Sequence, residues 1–279
     1  MLKKSSRKNV FAATRFYAFA LIIGLMVAVP FYWMAITSLK TESAVLTYPI
    51  EWFPSQITME NYASLFSSFA FGRVILNSCI VSGAYTLVAL TSCCMAAFAF
   101  AKLPFRGRET ILKIFLATLM IPSQSTLVPL FMIFNGIGLT NSYLSVILPS
   151  LFRVTGIFML VQNMKTIPND FIDAARIDGA SYFTILRKII VPLLGPAIAT
   201  VGIITFMDSW NEYLWPLVML TDADMMTLPV ALSTLSGMYE RNFGVQMAGS
   251  LISIIPIVIV YLAAQRKFKD GLSLGGIKG

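Results

Sequence analysis

Histidine is absent from this 279-residue sequence, and charged residues are scarce. Without histidine, the most common general acid–base residue and the usual zinc-ligand sets are not available. Charged residues make up 12% of the chain, against roughly a quarter in soluble domains, whereas hydrophobic residues make up 57% and the mean hydropathy is +0.77. This composition argues against an ordinary soluble enzyme and predicts an all-α protein that crosses a membrane several times.

Cysteine is rare and a nucleotide-binding motif is missing. Cys79, Cys93 and Cys94 lie in one apolar run and are interpreted as small packing residues. No GxxxxGK[ST] occurs, and the terminal GGIKG lacks the spacing and the Ser or Thr of a phosphate loop. We therefore expect no enzyme activity, no cofactor and no metal in this chain, and ATP-driven work would need an ATPase on a separate polypeptide.

Basic residues are concentrated in four segments. Seventeen of the 21 Lys and Arg fall within 1–15, 102–113, 165–188 and 266–279, which alternate with segments almost free of them. Such an excess is typical of the cytoplasmic side of a membrane protein. It accounts for the net charge of +8 without a nucleic-acid partner, and it predicts a plasma (inner) membrane protein with both termini in the cytoplasm. The first apolar run is too long for a cleaved secretory signal and is interpreted as a span.

The apolar runs predict six membrane spans, since each approaches the roughly 20 residues needed to cross a bilayer. Pro122 and Pro129 lie in the third span, which we expect to be kinked or broken there, either for function or for packing. Arg153 lies in the fourth, where a charge needs a partner or a water-filled cavity, unless it snorkels or caps a bend. A transmembrane domain of 16–264 would contain the spans 16–38, 74–101, 111–134, 142–163, 193–216 and 243–264, between a cytoplasmic segment 1–15 and a cytoplasmic tail 265–279.

The stretch 164–192 carries several charges between two apolar runs and has to lie in water. Pro168 suits the first turn of a short helix that reaches Ile177. Gly179 follows where helices commonly end with positive φ, and a second helix is predicted to run to Pro192. The pattern indicates an angled helix pair at the membrane surface, with an ordinary connector as the alternative. One side of the first helix would present Phe171, Ala174, Ala175 and Asp178.

This stretch resembles the "EAA" loop of ABC importer permeases, in which a Glu-Ala-Ala, a Gly, an Ile and a Leu-Pro recur at fixed offsets. Asp173 and Val191 depart from the pattern, replacing the Glu and the Leu. The resemblance implies a type I ABC importer permease fold whose loop couples the spans to an ATPase. The coupling residues that it implies are Asp173, Ala174, Ala175, Asp178, Gly179, Ile189 and Pro192.

The end of the predicted fifth span is unusually polar. Asp208 and Glu212 lie one helical turn apart, which an aromatic belt at the membrane interface would not explain. The string WNEYLWPL resembles the fifth-span signature of sugar permeases of the maltose-system group. The resemblance implies half of a pathway for a sugar or oligosaccharide, although the partner permease is the main sugar contact in that group. The pathway residues expected here are Asp208, Trp210, Asn211, Glu212 and Trp215.

The resemblance also implies a heteromeric complex. Members of the family combine a second, non-identical permease with two ATP-binding cassette ATPases and an extracytoplasmic solute-binding protein. The outer loops 39–72 and 222–242 either reach such a partner or pack on their own helices. The basic tail resembles a segment that enters the ATPase dimer, through Gly275, Gly276 and Lys278, or is simply disordered.

Two other functions remain open from the sequence. One is the same permease role for a glycerol-phosphate-type or other polar solute. A phosphorylated substrate would prefer cations, and near the membrane only Arg73 and Arg153 are available. A secondary transporter would usually show an inverted repeat and a relay of ionisable groups. No such repeat is visible, and the helix pair at 168–192 would then have no purpose.

Overall fold

The computed structural model describes residues 3–68, 70–238 and 242–275, and within these the regular structure is entirely helical. Four helical segments are long and apolar enough to span a membrane, and two bent helix pairs qualify as one span each. By length and composition, the described part of the chain therefore has four candidate membrane spans, or six if each bent pair forms one span, in agreement with the predicted fold class. The chain divides into two compact units, residues 1–70 with 234–254 and residues 71–233 with 255–279.

The first unit is built on α1 (Lys3–Ser38), which contains the apolar stretch Ala13–Ser38. Two short helices, α2 (Glu42–Val45) and α3 (Glu60–Ser68), follow in the predicted outer loop. Asn61 of α3 is buried and donates hydrogen bonds to the carbonyls of Ser38 and Lys40, at 2.9 and 2.8 Å. Gly244 packs so closely on Asn61 that an added Cβ would lie 2.5 Å from its Nδ2. These contacts fix α3 between the end of α1 and the beginning of the last helix.

The second unit is organised around α4 (Phe71–Lys102), which packs against α8 (Val154–Lys165) and α12 (Gly195–Asn211). Cys93 and Cys94 lie in its core as the expected small packing residues, whereas Cys79 is exposed. Gly156 of α8 permits this approach: a Cβ there would lie 2.9 Å from Cys93 Sγ and 3.2 Å from a methyl of Val201.

Three spans of the second unit are interrupted. In the third, α5 (Arg108–Thr118) and α6 (Ser123–Gly136) meet at 101°, so the expected break lies at Pro122, whereas Pro129 lies within α6. The fourth consists of α7 (Tyr143–Ile147), a 3₁₀ turn (Leu148–Phe152) and α8, with Arg153 in a non-helical conformation between them.

The fifth span differs most from its predicted form. A surface helix, Tyr182–Leu193, comprises α10 (Tyr182–Ile185), a π-helical segment (Leu186–Ile190) and α11 (Val191–Leu193), and it meets α12 at 84°. α12 ends at Asn211 rather than at 216, because Glu212 is extended and a separate helix, α13 (Leu214–Met219), begins after it.

The remaining helices connect the fourth span to the fifth and the fifth span to the sixth, or form the sixth span itself. The helix α9 (Asp170–Ile177) follows α8. After α13, a 3₁₀ turn (Ala223–Met225) leads to α14 (Leu228–Met238) in the predicted outer loop 222–242. The last helix, α15 (Phe243–Gly275), continues past the predicted end of the sixth span at 264. Much of the predicted tail is therefore helical, while Gly276 and Lys278 lie outside the described residues.

Candidate functional site

A cavity of about 290 Å³ lies in the second unit where the three interrupted spans meet. Its wall includes the first turn of α6, the break in the fourth span at Arg153, and the end of α12 from Asp208. Interrupted helices near the middle of a membrane are the usual framework of substrate sites in transporters, since freed backbone and polar side chains can face a cavity there. This position makes the cavity the best candidate site in the described chain.

Arg153 and Asp208 form an ion pair in the wall of this cavity, with the guanidinium Nη2 against the carboxylate Oδ2. Arg153 lies near the middle of the span Tyr143–Lys165, where an unpaired charge would be expensive. Its side chain is 17% exposed and that of Asp208 is 55% exposed, so the carboxylate is the more accessible partner. Asp208 is thus the partner that Arg153 requires at this depth.

Glu212 has a structural contact as well as a position in the cavity wall. Its Oε1 accepts hydrogen bonds from the backbone N–H groups of Leu214 and Trp215, at 3.1 and 3.2 Å, and so caps α13. A carboxylate at a helix N-terminus is favourable for the free N–H groups there. The cap explains why the fifth span stops at Asn211 and why the chain turns at this point.

Trp215 holds α13 against the fourth span while its ring lines the cavity. Its indole N–H donates to the carbonyl of Ser145 at 3.0 Å, and its ring packs edge-on against Phe134 with centroids 5.9 Å apart. Because the nitrogen and one edge are fixed in this way, the indole is a rigid apolar surface in the wall.

Two of the five predicted pathway residues do not line the cavity. Trp210 is only 2% exposed and stacks on Phe206 with ring centroids 5.7 Å apart. Asn211 is exposed, and its amide donates to the carbonyl of Met207 at 2.7 Å. The structure therefore brings Asp208, Glu212 and Trp215 together and leaves Trp210 in the packing between helices.

Other polar residues of the wall were not singled out from the sequence. They are Tyr85 of α4, Ser209 of α12, and the side chains of Ser123, Gln124 and Thr126 at the start of α6. The polar run Ser-Gln-Ser-Thr directly after Pro122, inside an otherwise apolar segment, was the signal that could have identified three of them. Their hydroxyl and amide groups add hydrogen-bond donors and acceptors to the two carboxylates.

Arg73, the other cation considered near the membrane, lies away from this cavity. It pairs with Asp224 at 3.1 Å, and both side chains are more than half exposed. Nearby, the amide of Asn77 donates to the carbonyls of Asp224 and Met226, at 2.9 and 3.1 Å. Arg73 therefore belongs to the contacts that hold the segment after α13.

The predicted coupling residues lie on and after α9, but they do not all share one face. Ala175 is buried in the core together with Ile172, whereas Phe171, Ala174 and Asp178 are exposed. The predicted side of this helix is therefore only partly accessible, because Ile172 and Ala175, three residues apart, pack into the core. The accessible face of α9 thus contains Asp173, Ala174 and Asp178, without Ala175.

Gly179 ends the first surface helix in the conformation that the sequence predicted, with φ of +80°. The N–H groups of Gly179 and Ala180 close the helix on the carbonyls of Arg176 and Ala175, at 3.0 and 2.9 Å. The second helix, Tyr182–Leu193, follows at once and bends into α12. Ile189 is partly buried against the core and Pro192 is exposed. The turn at Gly179 and the helix Tyr182–Leu193 therefore connect α9 to α12, the helix that carries Asp208.

Residues 89–272 match the family model of the binding-protein-dependent transport system inner membrane component. The chain belongs to this family. It is 37% identical over 227 residues to the arabinooligosaccharides transport system permease protein AraQ of Halalkalibacterium halodurans, covering 81% of each chain. It is also 34% identical over 263 residues to the trehalose transport system permease protein SugB of Mycobacterium tuberculosis, covering 93% of this chain and 95% of that one.

The fold has a solved counterpart in a bacterial ABC transporter involved in the import of the acidic polysaccharide alginate. The TM-score is 0.82 at 23% sequence identity, and the match covers 96% of this chain and 99% of the other. Family and fold together make this chain an inner-membrane permease of the ABC importer type, and not an enzyme. Its six-span architecture, with the loop between the fourth and fifth spans, is the type I permease fold that the sequence predicted.

Proposed function

We propose that this permease forms half of the translocation pathway of an ATP-driven importer for a sugar, specifically an oligosaccharide, that a solute-binding protein delivers. The single observation that carries the proposal is the cavity at the three broken spans, whose wall combines carboxylates, an amide and hydroxyls with a fixed indole. The hydroxyl groups of a sugar can form hydrogen bonds with the carboxylates, the amide and the hydroxyls, and its C–H faces can pack on the indole ring. Relatives named for arabinooligosaccharide, lactose and trehalose transport support the same class.

The energy comes from ATPase subunits on separate chains, which dock on the loop 164–192 in the cytoplasm. In support, Asp173, Ala174 and Asp178 are exposed on α9, and the helix Tyr182–Leu193 continues from there to α12. Movement of α9 would be transmitted to Asp208 through this helix. Gly179, Ile189 and Pro192 shape this path, and Ala175 anchors it to the core.

The complete importer would contain a second, non-identical permease, two ATP-binding cassette subunits and an external solute-binding protein. Both termini of this chain would lie in the cytoplasm, in keeping with its basic segments. The end of α15 would extend toward the ATPases, with Gly275, Gly276 and Lys278 as the contacting residues. Of these, Gly275 is the last residue of α15.

The charges disfavour a phosphorylated substrate. Arg153 is paired with Asp208, and Arg73 is paired with Asp224 outside the cavity. With Glu212 also in the wall, the cavity has one more carboxylate than cations, which would repel a phosphate dianion. A neutral sugar meets no such repulsion.

Reconstitution of the complex in proteoliposomes tests this proposal. The ligand of the cognate binding protein is first identified by a thermal-shift screen against neutral oligosaccharides and sugar phosphates. Uptake of that ligand should then require the binding protein, ATP and this chain. Uptake that runs on an ion gradient without ATP would support a secondary transporter, and transport of a phosphorylated ligand alone would contradict the sugar assignment.

A further inference from the structure

Residues 46–54, here called the aromatic loop, expose an unusual amount of hydrophobic surface in the first unit. Tyr48 is 94% exposed and Phe53 is 80% exposed, and Leu46, Ile50 and Trp52 are each more than half exposed. Several large apolar side chains exposed within one short loop indicate contact with another protein or with a membrane. The position of the loop along α1 decides between contact with a protein and contact with a membrane.

The aromatic loop folds back along α1 instead of projecting away from its end. The hydroxyl of Tyr32 donates to the carbonyl of Trp52 at 2.6 Å. The rings of Tyr32 and Phe53 meet with centroids 6.3 Å apart, and those of Trp33 and Trp52 with centroids 5.7 Å apart. Tyr32 lies six residues before the end of α1 at Ser38, so the loop reaches back about 9 Å along the helix axis from that end.

The depth of Tyr32 in the membrane follows from the charges on α1. The stretch 16–31 is uncharged and apolar, and Arg15 precedes it. Tyr32 lies 17 residues after Arg15, about 25 Å away at 1.5 Å per residue, and a hydrocarbon core is roughly 30 Å thick. With Arg15 reaching toward one surface, Tyr32 and Trp33 lie at the opposite interface. Trp52 and Phe53, in contact with their rings, lie at the same depth.

The backbone of the aromatic loop is adapted to partial removal from water. The ammonium of Lys40, which is buried, donates to the carbonyl of Glu51 and lies 5.1 Å from the centre of the Trp33 ring. The next carbonyl, that of Trp52, accepts from Tyr32. The carboxylate of Glu51 itself accepts a hydrogen bond from Ser55 at 3.3 Å. Two successive carbonyls are thus satisfied by protein groups, as a position near lipid requires.

We propose that the aromatic loop lies in the boundary between headgroups and acyl chains of the outer leaflet and binds phospholipid there. Tyr and Trp prefer this zone because their rings are apolar and their polar atoms reach water. The loop contains no Lys or Arg, so the contact is made by rings and aliphatic side chains rather than by attraction to anionic lipid. It fixes the height of α1 in the bilayer.

Nitroxide depth measurement on the assembled transporter tests this inference. The complex is reconstituted in nanodiscs of phosphatidylethanolamine and phosphatidylglycerol, with Phe53→Cys labelled in a Cys79→Ala background because Cys79 is the exposed cysteine of the described residues. Relaxation by oxygen and by a water-soluble nickel chelate is compared. Ser43→Cys on α2, also exposed and five residues beyond the end of α1, is the matched control. The same background without either new cysteine gives the signal to subtract.

The inference expects an oxygen-to-nickel ratio several-fold higher at position 53 than at position 43, with or without the binding protein. Full access of the nickel chelate to position 53 would place the loop in water and overturn the inference. Exclusion of both reagents would mean a protein partner covers it, and exclusion only after the binding protein is added would identify that partner. Tyr48→Cys, at the most exposed ring of the loop, repeats the measurement should Phe53→Cys disturb assembly. None of these outcomes depends on which solute is transported.

Discussion

The Arg153–Asp208 pair joins the fourth and fifth spans. Removing one member of such a pair leaves the other charge without compensation, which is worse than removing both. The guanidinium is mostly buried while the carboxylate is open to the cavity. The pair therefore both neutralises Arg153 and presents hydrogen-bonding atoms to whatever occupies the cavity.

Replacing either charge should impair transport more than replacing both. Arg153→Ala and Asp208→Ala are each expected to lower ATP-driven uptake about tenfold, a loss equivalent to about 1.4 kcal/mol, and the double variant should lie closer to the unaltered protein. Uptake in proteoliposomes, normalised to the amount of complex, measures the effect.

Arg73→Ala is the matched control, since it breaks the exposed pair with Asp224. Exposed pairs contribute little, at most about 1 kcal/mol, so uptake should be nearly unchanged. The pair would not act as a unit if the fold-loss of uptake in the double variant Arg153→Ala with Asp208→Ala equalled the product of the fold-losses in the two single variants.

Gly156 sets the distance between α8 and α4, and Gly156→Ala should destabilise the permease. The added methyl would approach Cys93 Sγ to 2.9 Å and Val201 to 3.2 Å, and overpacking of this kind costs about 1–3 kcal/mol. Thermal unfolding of the detergent-solubilised complex is the measurement. Cys93→Ala in the same chain should recover part of the loss.

Gly83→Ala, on α4, is the control for the glycine-to-alanine change itself. Nothing lies within 4 Å of a Cβ at Gly83, so stability should be unchanged or raised by about 0.5–1 kcal/mol through better helix propensity. Equal losses at positions 83 and 156 would argue against close packing as the cause.

Among the helices, α9 has two successive alanines in opposite environments. Ala174 is exposed and Ala175 is 8% exposed within the core. The same enlargement at the two positions should therefore separate docking from folding. This pair tests the proposed role of α9 without a change of charge.

Ala174→Leu should weaken retention of the ATPase subunits and lower ATP-driven uptake several-fold while leaving thermal stability near its original value. Ala175→Leu should instead lower stability by about 1–3 kcal/mol, because the core has no room for the larger side chain. Co-purification of the ATPases and thermal unfolding of each variant measure the two effects. A loss of stability in Ala174→Leu with normal ATPase retention would contradict a docking face on α9.

Local signals predicted much of the element pattern. Six spans follow from apolar runs, the break at Pro122 follows from a missing N–H and a restricted φ, and the turn at Gly179 follows from its tolerance of positive φ. The split face of α9 was missed because Ala174 and Ala175 are nearly equivalent in sequence, and only the core against Ile172 decides which is buried. The end of α12 at Asn211 was not predicted, because the sequence does not show that Glu212 caps the next helix instead of continuing the fifth span.

Pairings between distant residues could not be predicted in the same way. Arg153 and Asp208 were each recognised as unusual, but 55 positions separate them, and nothing in the sequence states which partner a buried charge selects. The cavity has the same limitation, since it exists only where three spans meet. Trp210, which was also predicted to belong to the pathway, lies outside the cavity wall and stacks on Phe206, a contact that the sequence does not specify.

At the scale of the whole chain, the distribution of Lys and Arg predicts the orientation of all six spans. Fusion of green fluorescent protein to the C-terminus should give fluorescence, as expected for a cytoplasmic end. Alkaline phosphatase inserted between Gln56 and Ile57 should be active, because its disulfides form only outside the cytoplasm. Both readouts are made on whole cells.

Phosphatase inserted between Phe105 and Arg106, in the loop before α5, is the control for these fusions and should be inactive. Activity there, or inactivity at position 56, would reverse the orientation. Such a reversal would place α9 outside the cell and remove it from any ATPase.

The π-helical segment Leu186–Ile190 has a further consequence for comparing this chain with others. A π turn holds about one residue more than an α turn, and one residue corresponds to about 100° of rotation in an α-helix. A homologue that is one residue shorter here could close the turn as regular α-helix, and its α12 would then be rotated relative to α9. An alignment of such a homologue with this chain should therefore place a single-residue gap within 186–190, rather than at the bend at Leu194. Only then do the site residues on α12 correspond between the two chains.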